Sequence, residues 1–165
     1  MAANSTREGF QNTPAMKLRC AYLTMHRAFD ALFARHGFTA DQFVLMKVLS
    51  EEEGVKQREL IDKISSDPNT VSAMLALLEK RRIIRRKANA GDGRARSVFL
   101  TAAGRRALQT LVQSSDRLHA LMEECVPRRE RKIVYRALDR ITQQMASARS
   151  RLARPARGRA RASTC

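Results

Sequence analysis

A mainly α-helical fold with one small β-hairpin is predicted from three features of the sequence. Apolar residues return at steps of three and four through three long segments, as in helices that bury one stripe. Between the first and second of these lie shorter helical patterns broken by Ser65-Ser66-Asp67 and a proline. Two strand-like stretches, 83–87 and 97–100, flank a turn containing Gly and Asn, which marks a hairpin.

The first helix is expected over residues 14–36, where Leu18, Tyr22, Met25, Phe29 and Leu32 follow the heptad-like spacing of a packing seam. Gly37 closes it, because a residue of positive φ is wanted there. Thr39 caps a second helix, with Gln42 completing a capping box; it runs to about Glu52 and buries Phe43, Leu45, Val48 and Leu49. After Gly54, Leu60, Ile61 and Ile64 share a helical face over 57–64. Asp67 caps and Pro68 opens a fourth helix. It buries Val71, Met74, Leu75 and Leu78 and leaves Asn69, Thr70, Ser72, Ala73 and Ala76 on other faces.

These two short helices have helix-turn-helix proportions, and the hairpin after them, basic over 80–96 with residues 88–94 as its projecting loop, makes the unit a winged helix. Thr101 caps a fifth helix with the stripe Leu108, Leu111, Ser115, Leu118, Met122 and Cys125. A sixth, after Pro127, repeats the pattern through Val134, Leu138, Ile141, Met145, Ala148 and Leu152. Three long stripes exceed what one small winged helix covers, so the terminal helices are expected to pack together and against a second copy in a two-fold dimer. The expected fold class is therefore a winged helix-turn-helix plus a helical dimerisation body. Its parts are an N-terminal arm and dimerisation helix over 1–36, the winged helix-turn-helix DNA-binding domain over 37–100, C-terminal dimerisation helices over 101–152 and an Arg-rich tail over 153–165.

Composition narrows the function. With 165 residues, 44% hydrophobic and 29% charged, the chain reads as about one soluble domain. No apolar run approaches the roughly 18 residues of a membrane span. Residues 1–14 lack the apolar core of a secretory leader, so a cytoplasmic location is expected. The 32 Lys and Arg against 16 Asp and Glu leave +16, and an extended polyanion is the natural partner: nucleic acid first, a membrane surface second. Eight of these bases fall in 80–96 against Asp92 alone, which puts a basic patch on the hairpin. Six more lie from Arg149 onward with no acid, in a segment that either adds nonspecific DNA affinity or merely solubilises.

Three widely spaced cysteines, Cys20, Cys125 and Cys165, with no CxxC, fit reduced thiols rather than a disulfide framework or a zinc site. His26, His36 and His119 form no i, i+3 or i, i+4 pair, so no metal is expected. A glycine-rich phosphate loop, GxSxG and HExxH are all missing, so neither a cofactor nor catalysis is expected.

Over roughly Leu18 to Leu152 the chain resembles the MarR family of bacterial winged-helix repressors, named for multiple antibiotic resistance regulation. The resemblance rests on the order and spacing of Phe38-Thr39-Ala40-Asp41-Gln42-Phe43-Val44-Leu45, Arg58-Glu59-Leu60, Asp67-Pro68-Asn69-Thr70-Val71-Ser72, Leu77-Leu78-Glu79-Lys80, Ile84-Arg85-Arg86, Asp92-Gly93-Arg94-Ala95 and Leu100-Thr101-Ala102-Ala103-Gly104. It implies a homodimer whose first, fifth and sixth helices form the body, and whose winged helices bind a palindromic double-stranded operator. The fourth helix would enter the major groove and the wing tip the adjacent minor groove.

Residue chemistry agrees. Asn69, Thr70 and Ser72 are short hydrogen-bonding side chains suited to base edges or phosphates, although capping of the helix start competes for them. Gln57 and Arg58 open the preceding helix as candidates for phosphate or base contact. Arg94 matches the family's minor-groove arginine and Asp92 the acid that orients it, since a narrow A·T-rich groove attracts an aimed guanidinium. Arg86, Lys87 and Arg96 would neutralise phosphates. Ala73 departs from the larger polar or basic residue of many relatives, which removes one direct base contact. An architectural, low-specificity DNA coat is the competing reading.

The resemblance also implies release of DNA by a small anionic or phenolic effector or by cysteine oxidation. His26 and Arg27, with Met46 opposite, are the candidate effector contacts, against the plainer reading of an exposed His and Arg. Cys20, next to Arg19 and off the apolar stripe, is the candidate redox thiol, whereas Cys125 on the stripe reads as structural.

Overall fold

In the computed structural model the backbone is described over residues 9–89 and 92–152 and the side chains over 9–88 and 96–152. A single 3-10 turn leads into α1 (Pro14–Ala34), α2 (Ala40–Glu51), β1 (Val55–Lys56), α3 (Gln57–Lys63) and α4 (Pro68–Lys80). The hairpin β2 (Ile84–Asn89) and β3 (Asp92–Leu100) follows, then α5 (Ala102–Glu124) and α6 (Arg128–Leu152).

The caps lie where the sequence asks for them. Thr39 Oγ1 accepts from the Gln42 N–H and Gln42 Oε1 from the Thr39 N–H, both at 3.2 Å. That reciprocal pair occupies the amide oxygen of Gln42, a side chain otherwise buried among apolar neighbours. The N-terminus of α2 is further tied to α1 by Asp30, whose carboxylate accepts from the Ala40 N–H at 2.7 Å. Gly37 takes the positive φ of +74° that ends α1. Thr101 Oγ1 accepts from the Gly104 N–H at 3.0 Å and donates back to the Arg82 and Ile83 carbonyls, so the cap of α5 also fastens the exit of β3 to the entry of β2.

The sheet has the order β1-β3-β2, antiparallel throughout. The two-residue β1 was not foreseen; it pairs Val55 with Val98 and closes the outer edge of the hairpin. The hairpin strands are longer than expected. Pairing persists through a register shift between Ala88 and Asn89 and ends with Asn89 opposite Asp92, so the long loop over 88–94 is largely strand.

The chain divides into two compact units after His119, inside α5. In the first, α1 to the front half of α5 enclose one apolar core in which Phe33, Leu45, Leu49, Leu60, Leu75 and Leu111 are fully buried. Phe33 stands beside the α1 stripe read from the sequence, and its ring meets Phe43 of α2 at 4.7 Å. Phe43 and Val48, expected inside, are only half-buried. Leu108, Leu111 and Ser115 of α5 enter this core, the buried hydroxyl of Ser115 donating to the Val112 carbonyl at 2.9 Å.

In the second unit Arg131 closes the turn between the end of α5 and α6, donating to the Glu123 carboxylate at 2.9 Å and to the carbonyls of Glu123 and Val126. Along α6 no residue is buried. Its stripe of Leu138, Ile141 and Met145 lies open, as do Leu121, Met122 and Cys125 near the end of α5.

Gly104 sits where α5 crosses the strand entry: a Cβ there would meet the Ile83 carbonyl oxygen at 2.1 Å. Ala is the better helix former, yet Gly104→Ala should lower stability by about 1–3 kcal/mol through overpacking against backbone. Denaturant unfolding measures this, and a variant as stable as the parent would refute the contact.

Candidate nucleic-acid interface

α4 owes its start to Asp67, whose carboxylate accepts from the N–H groups of Asn69 at 3.0 Å and Thr70 at 2.9 Å. The Thr70 hydroxyl also donates to it, and these bonds, Thr70's side chain foremost, hold the Asp67 carboxyl below the usual carboxylate range. Thr70 therefore spends its proton on the cap and offers a partner only its oxygen lone pairs. Val71, Leu75 and Leu78 are fully buried, which turns Asn69, Ser72, Ala73 and Ala76 outward. Gln57 at the start of α3 donates from Nε2 to Ser72 Oγ at 3.0 Å. The structure thus unites two predicted contact residues from different helices, leaving the Gln57 carbonyl and the Ser72 hydroxyl proton for an incoming group. Arg58 is exposed on α3.

On the wing side, Lys87 and Arg96 are exposed. Asp92 and Arg94 belong to the backbone of β3, while their side chains lie outside the described residues. The guanidinium of Arg86, an expected phosphate contact, is engaged by Glu79 of α4, with Nε at 2.9 Å and Nη2 also bonded. The Arg86 hydrogen bond holds the Glu79 carboxyl below its ordinary pKa, burial opposes this, and Arg96 adds a smaller lowering. The pair clamps the hairpin to the outward-facing helix.

Sequence reasoning also missed Arg81, which donates to the Gly37 carbonyl at 2.7 Å and lies 4.1 Å over the Phe38 ring, pinning the end of α4 to the α1–α2 turn. Opposite charges seven residues apart across a turn, and an Arg after a helix end, were the available signals, and neither is specific.

Residues 38–95 match the sequence profile of the MarR family. The transcriptional regulator HosA of Escherichia coli is 35% identical over 78 residues, which are 47% of this chain and 58% of HosA. The M. tuberculosis transcriptional regulator MOSR, solved in complex with DNA, superposes with a TM-score of 0.72 at 26% identity, covering 84% of this chain and 99% of that one. The likeness to the MarR family rests on residues 38–95, about a third of the chain. BpsR of Bordetella bronchiseptica, solved to explain regulation of its DNA binding by 6-hydroxynicotinic acid, shares the fold with a TM-score of 0.74 at 21% identity, over 82% of this chain and 96% of that one. The match to HosA spans less than two thirds of its length.

The candidate effector residues are unevenly placed. His26 of α1 is half-buried, its Nδ1 3.2 Å from Asp30 and its Nε2 3.1 Å from Asp41 of α2. Arg27 is exposed. Met46, expected opposite them at a crevice, is instead fully buried in the core, so a ligand reaches its thioether only where the core opens. Cys20 is exposed on α1. Cys165 and the rest of the Arg-rich tail lie outside the described residues. Among the described residues no group of His, Cys, Asp or Glu is arranged to hold a metal ion, and no helix is long and apolar enough to cross a membrane.

Because the folded-state pKa of Glu79 is depressed, its pair with Arg86 stabilises the fold above the unfolded glutamate pKa of about 4.3 and ceases to do so as pH falls through the lowered value. Both partners are partly exposed, so the contribution is at most about 1 kcal/mol. Glu79→Gln should be less stable than the parent at neutral pH, and the gap should close as pH falls through the lowered Glu79 pKa. An undiminished gap in acid, measured by unfolding across pH, would contradict the clamp.

Proposed function

We propose that this chain is a dimeric, sequence-specific DNA-binding transcriptional regulator, in the cytoplasm and associated with the nucleoid. It acts as a repressor on a palindromic operator and is released by a small anionic or phenolic effector. The observation that carries this reading is the outward polar face of α4, with Ser72 held by Gln57, beside a basic hairpin clamped to the same helix by Arg86 and Glu79. Neutral amide and hydroxyl groups on one helix face suit base edges in a major groove, and a basic hairpin suits the flanking phosphates and minor groove. Asn69, Gln57 and Ser72 are the proposed base readers; Arg58, Lys87 and Arg96 the proposed phosphate contacts; and Arg94, oriented by Asp92, the proposed minor-groove contact. A DNA-bound relative of the same fold supports the assignment.

Dimerisation is supported by the unburied apolar stripe of α6 and by Leu121 and Met122 of α5, which a second copy would cover. Effector control is supported by analogy with BpsR, whose DNA binding is regulated by an aromatic acid.

Selection of bound sequences from a random duplex pool at physiological salt tests the reading. One enriched palindrome is the expected result, with a specificity ratio of ~10³ or more over random DNA. Tight binding without enrichment would replace the regulator by an architectural DNA coat. With the operator in hand, Arg94→Ala should weaken binding by about 1–3 kcal/mol and leave the dimer intact. Unchanged operator affinity in a titration would refute the wing assignment.

A further inference from the structure

We propose that α6 carries a second nucleic-acid-binding surface, separate from the winged helix, on the side opposite its apolar stripe. The occupant rests on the DNA-binding reading above; the surface itself follows from the charge. Residues 128–165 hold twelve basic and two acidic side chains, so +10 of the chain's +16 lies beyond the winged helix in sequence. At 100° per residue, Arg128, Arg129, Lys132, Arg136 and Arg140 fall within about 120° of arc, and all five are exposed. Val134, Leu138, Ile141 and Met145 centre on the other side of the helix.

Acid relieves this face little. Asp139 is the one carboxylate on the arc, and Arg129, 85% exposed, touches Glu130 at 3.3 Å. Arg131, off the arc, is by contrast folded back onto Glu123 and Val126 as a fastener. Like charges at i, i+4 repel along Arg128, Lys132, Arg136 and Arg140, so the arrangement weakens the isolated helix. A polyanion removes that repulsion. From Arg129 to Arg140 the face is about 16 Å long, a length over which duplex DNA carries about ten phosphates. A lipid surface fits less well: a helix lying on a membrane inserts its apolar side, and here that side is the one assigned to the second copy.

The test compares the full chain with its Arg129→Gln/Lys132→Gln/Arg136→Gln/Arg140→Gln variant; Gln keeps helix propensity, and sedimentation checks the dimer. Each is titrated against a long random-sequence duplex and the selected operator across a salt series, and against anionic vesicles. The variant should lose about tenfold or more in random-duplex affinity, and its slope of log K against log salt should become shallower by about 0.9 for each phosphate contact removed. Operator preference over random DNA should persist. Equal affinities and slopes for the two proteins overturn the inference while leaving the operator reading in place. A loss confined to vesicles overturns it in favour of a membrane contact. A parent chain that binds no duplex overturns the function reading as well. Should the fourfold variant misfold, Arg136→Gln/Arg140→Gln gives the same readout with a smaller shift.

Discussion

Burial of Val71, Leu75 and Leu78 fixes the rotation of α4 about its own axis, and the proposed DNA interface depends on that rotation. Each fully buried aliphatic side chain stabilises by about 1.5–3 kcal/mol, so a turn of one residue, about 100°, would expose the anchors and bury Ser72 with its hydroxyl. With the anchors in place, Ser72 meets Gln57, Glu79 meets Arg86, and Asp67 caps the start of the helix. Arg81 fastens the far end to the α1–α2 turn. An apolar constraint inside thus sets polar geometry outside to within hydrogen-bonding tolerance.

Much of this was readable from the chain because it is local. The Thr39–Gln42 box, the Asp67–Pro68 start and Gly37 are short patterns whose partners lie within four residues, and each forms as read. What escaped depends on distant partners. β1 has two residues and no periodicity; it exists because Val98 stands opposite Val55. The hairpin runs beyond its apolar residues because backbone pairing continues through a register shift that side-chain pattern does not report. Arg86 carried the composition of a phosphate contact, but its nearest anion is a carboxylate on the preceding helix. Met46 falls within the core because α2 presents Leu45, Met46 and Leu49 to packing on several sides, a wider apolar arc than one stripe implies.

The second unit inverts the economy of the first. The stripe on α6 is as regular as any in the sequence, yet within one chain it buries nothing. Helices draw most of their stability from packing an apolar face rather than from propensity. An amphipathic helix of 25 residues with that face open is therefore incomplete by itself, and large exposed apolar patches mark association surfaces. The same reasoning separates Cys125, whose place on the stripe suggested burial, from its exposed position in the single chain.

In the proposed regulator, charge and specificity are carried by different parts of the molecule. The outward face of α4 holds neutral amide, hydroxyl and methyl groups, which discriminate among bases but attract DNA weakly. On this proposal attraction falls to the hairpin and to the last helix, where phosphate neutralisation would gain affinity at every sequence alike. A regulator built this way faces a competition of its own making, because each nonspecific contact also holds it on the wrong sites. The Glu79–Arg86 clamp eases that conflict at the interface itself. It withdraws one guanidinium from the phosphate pool and spends it on orienting the wing against α4. Specificity, on this proposal, depends as much on the cations tied down by carboxylates as on those left facing outward.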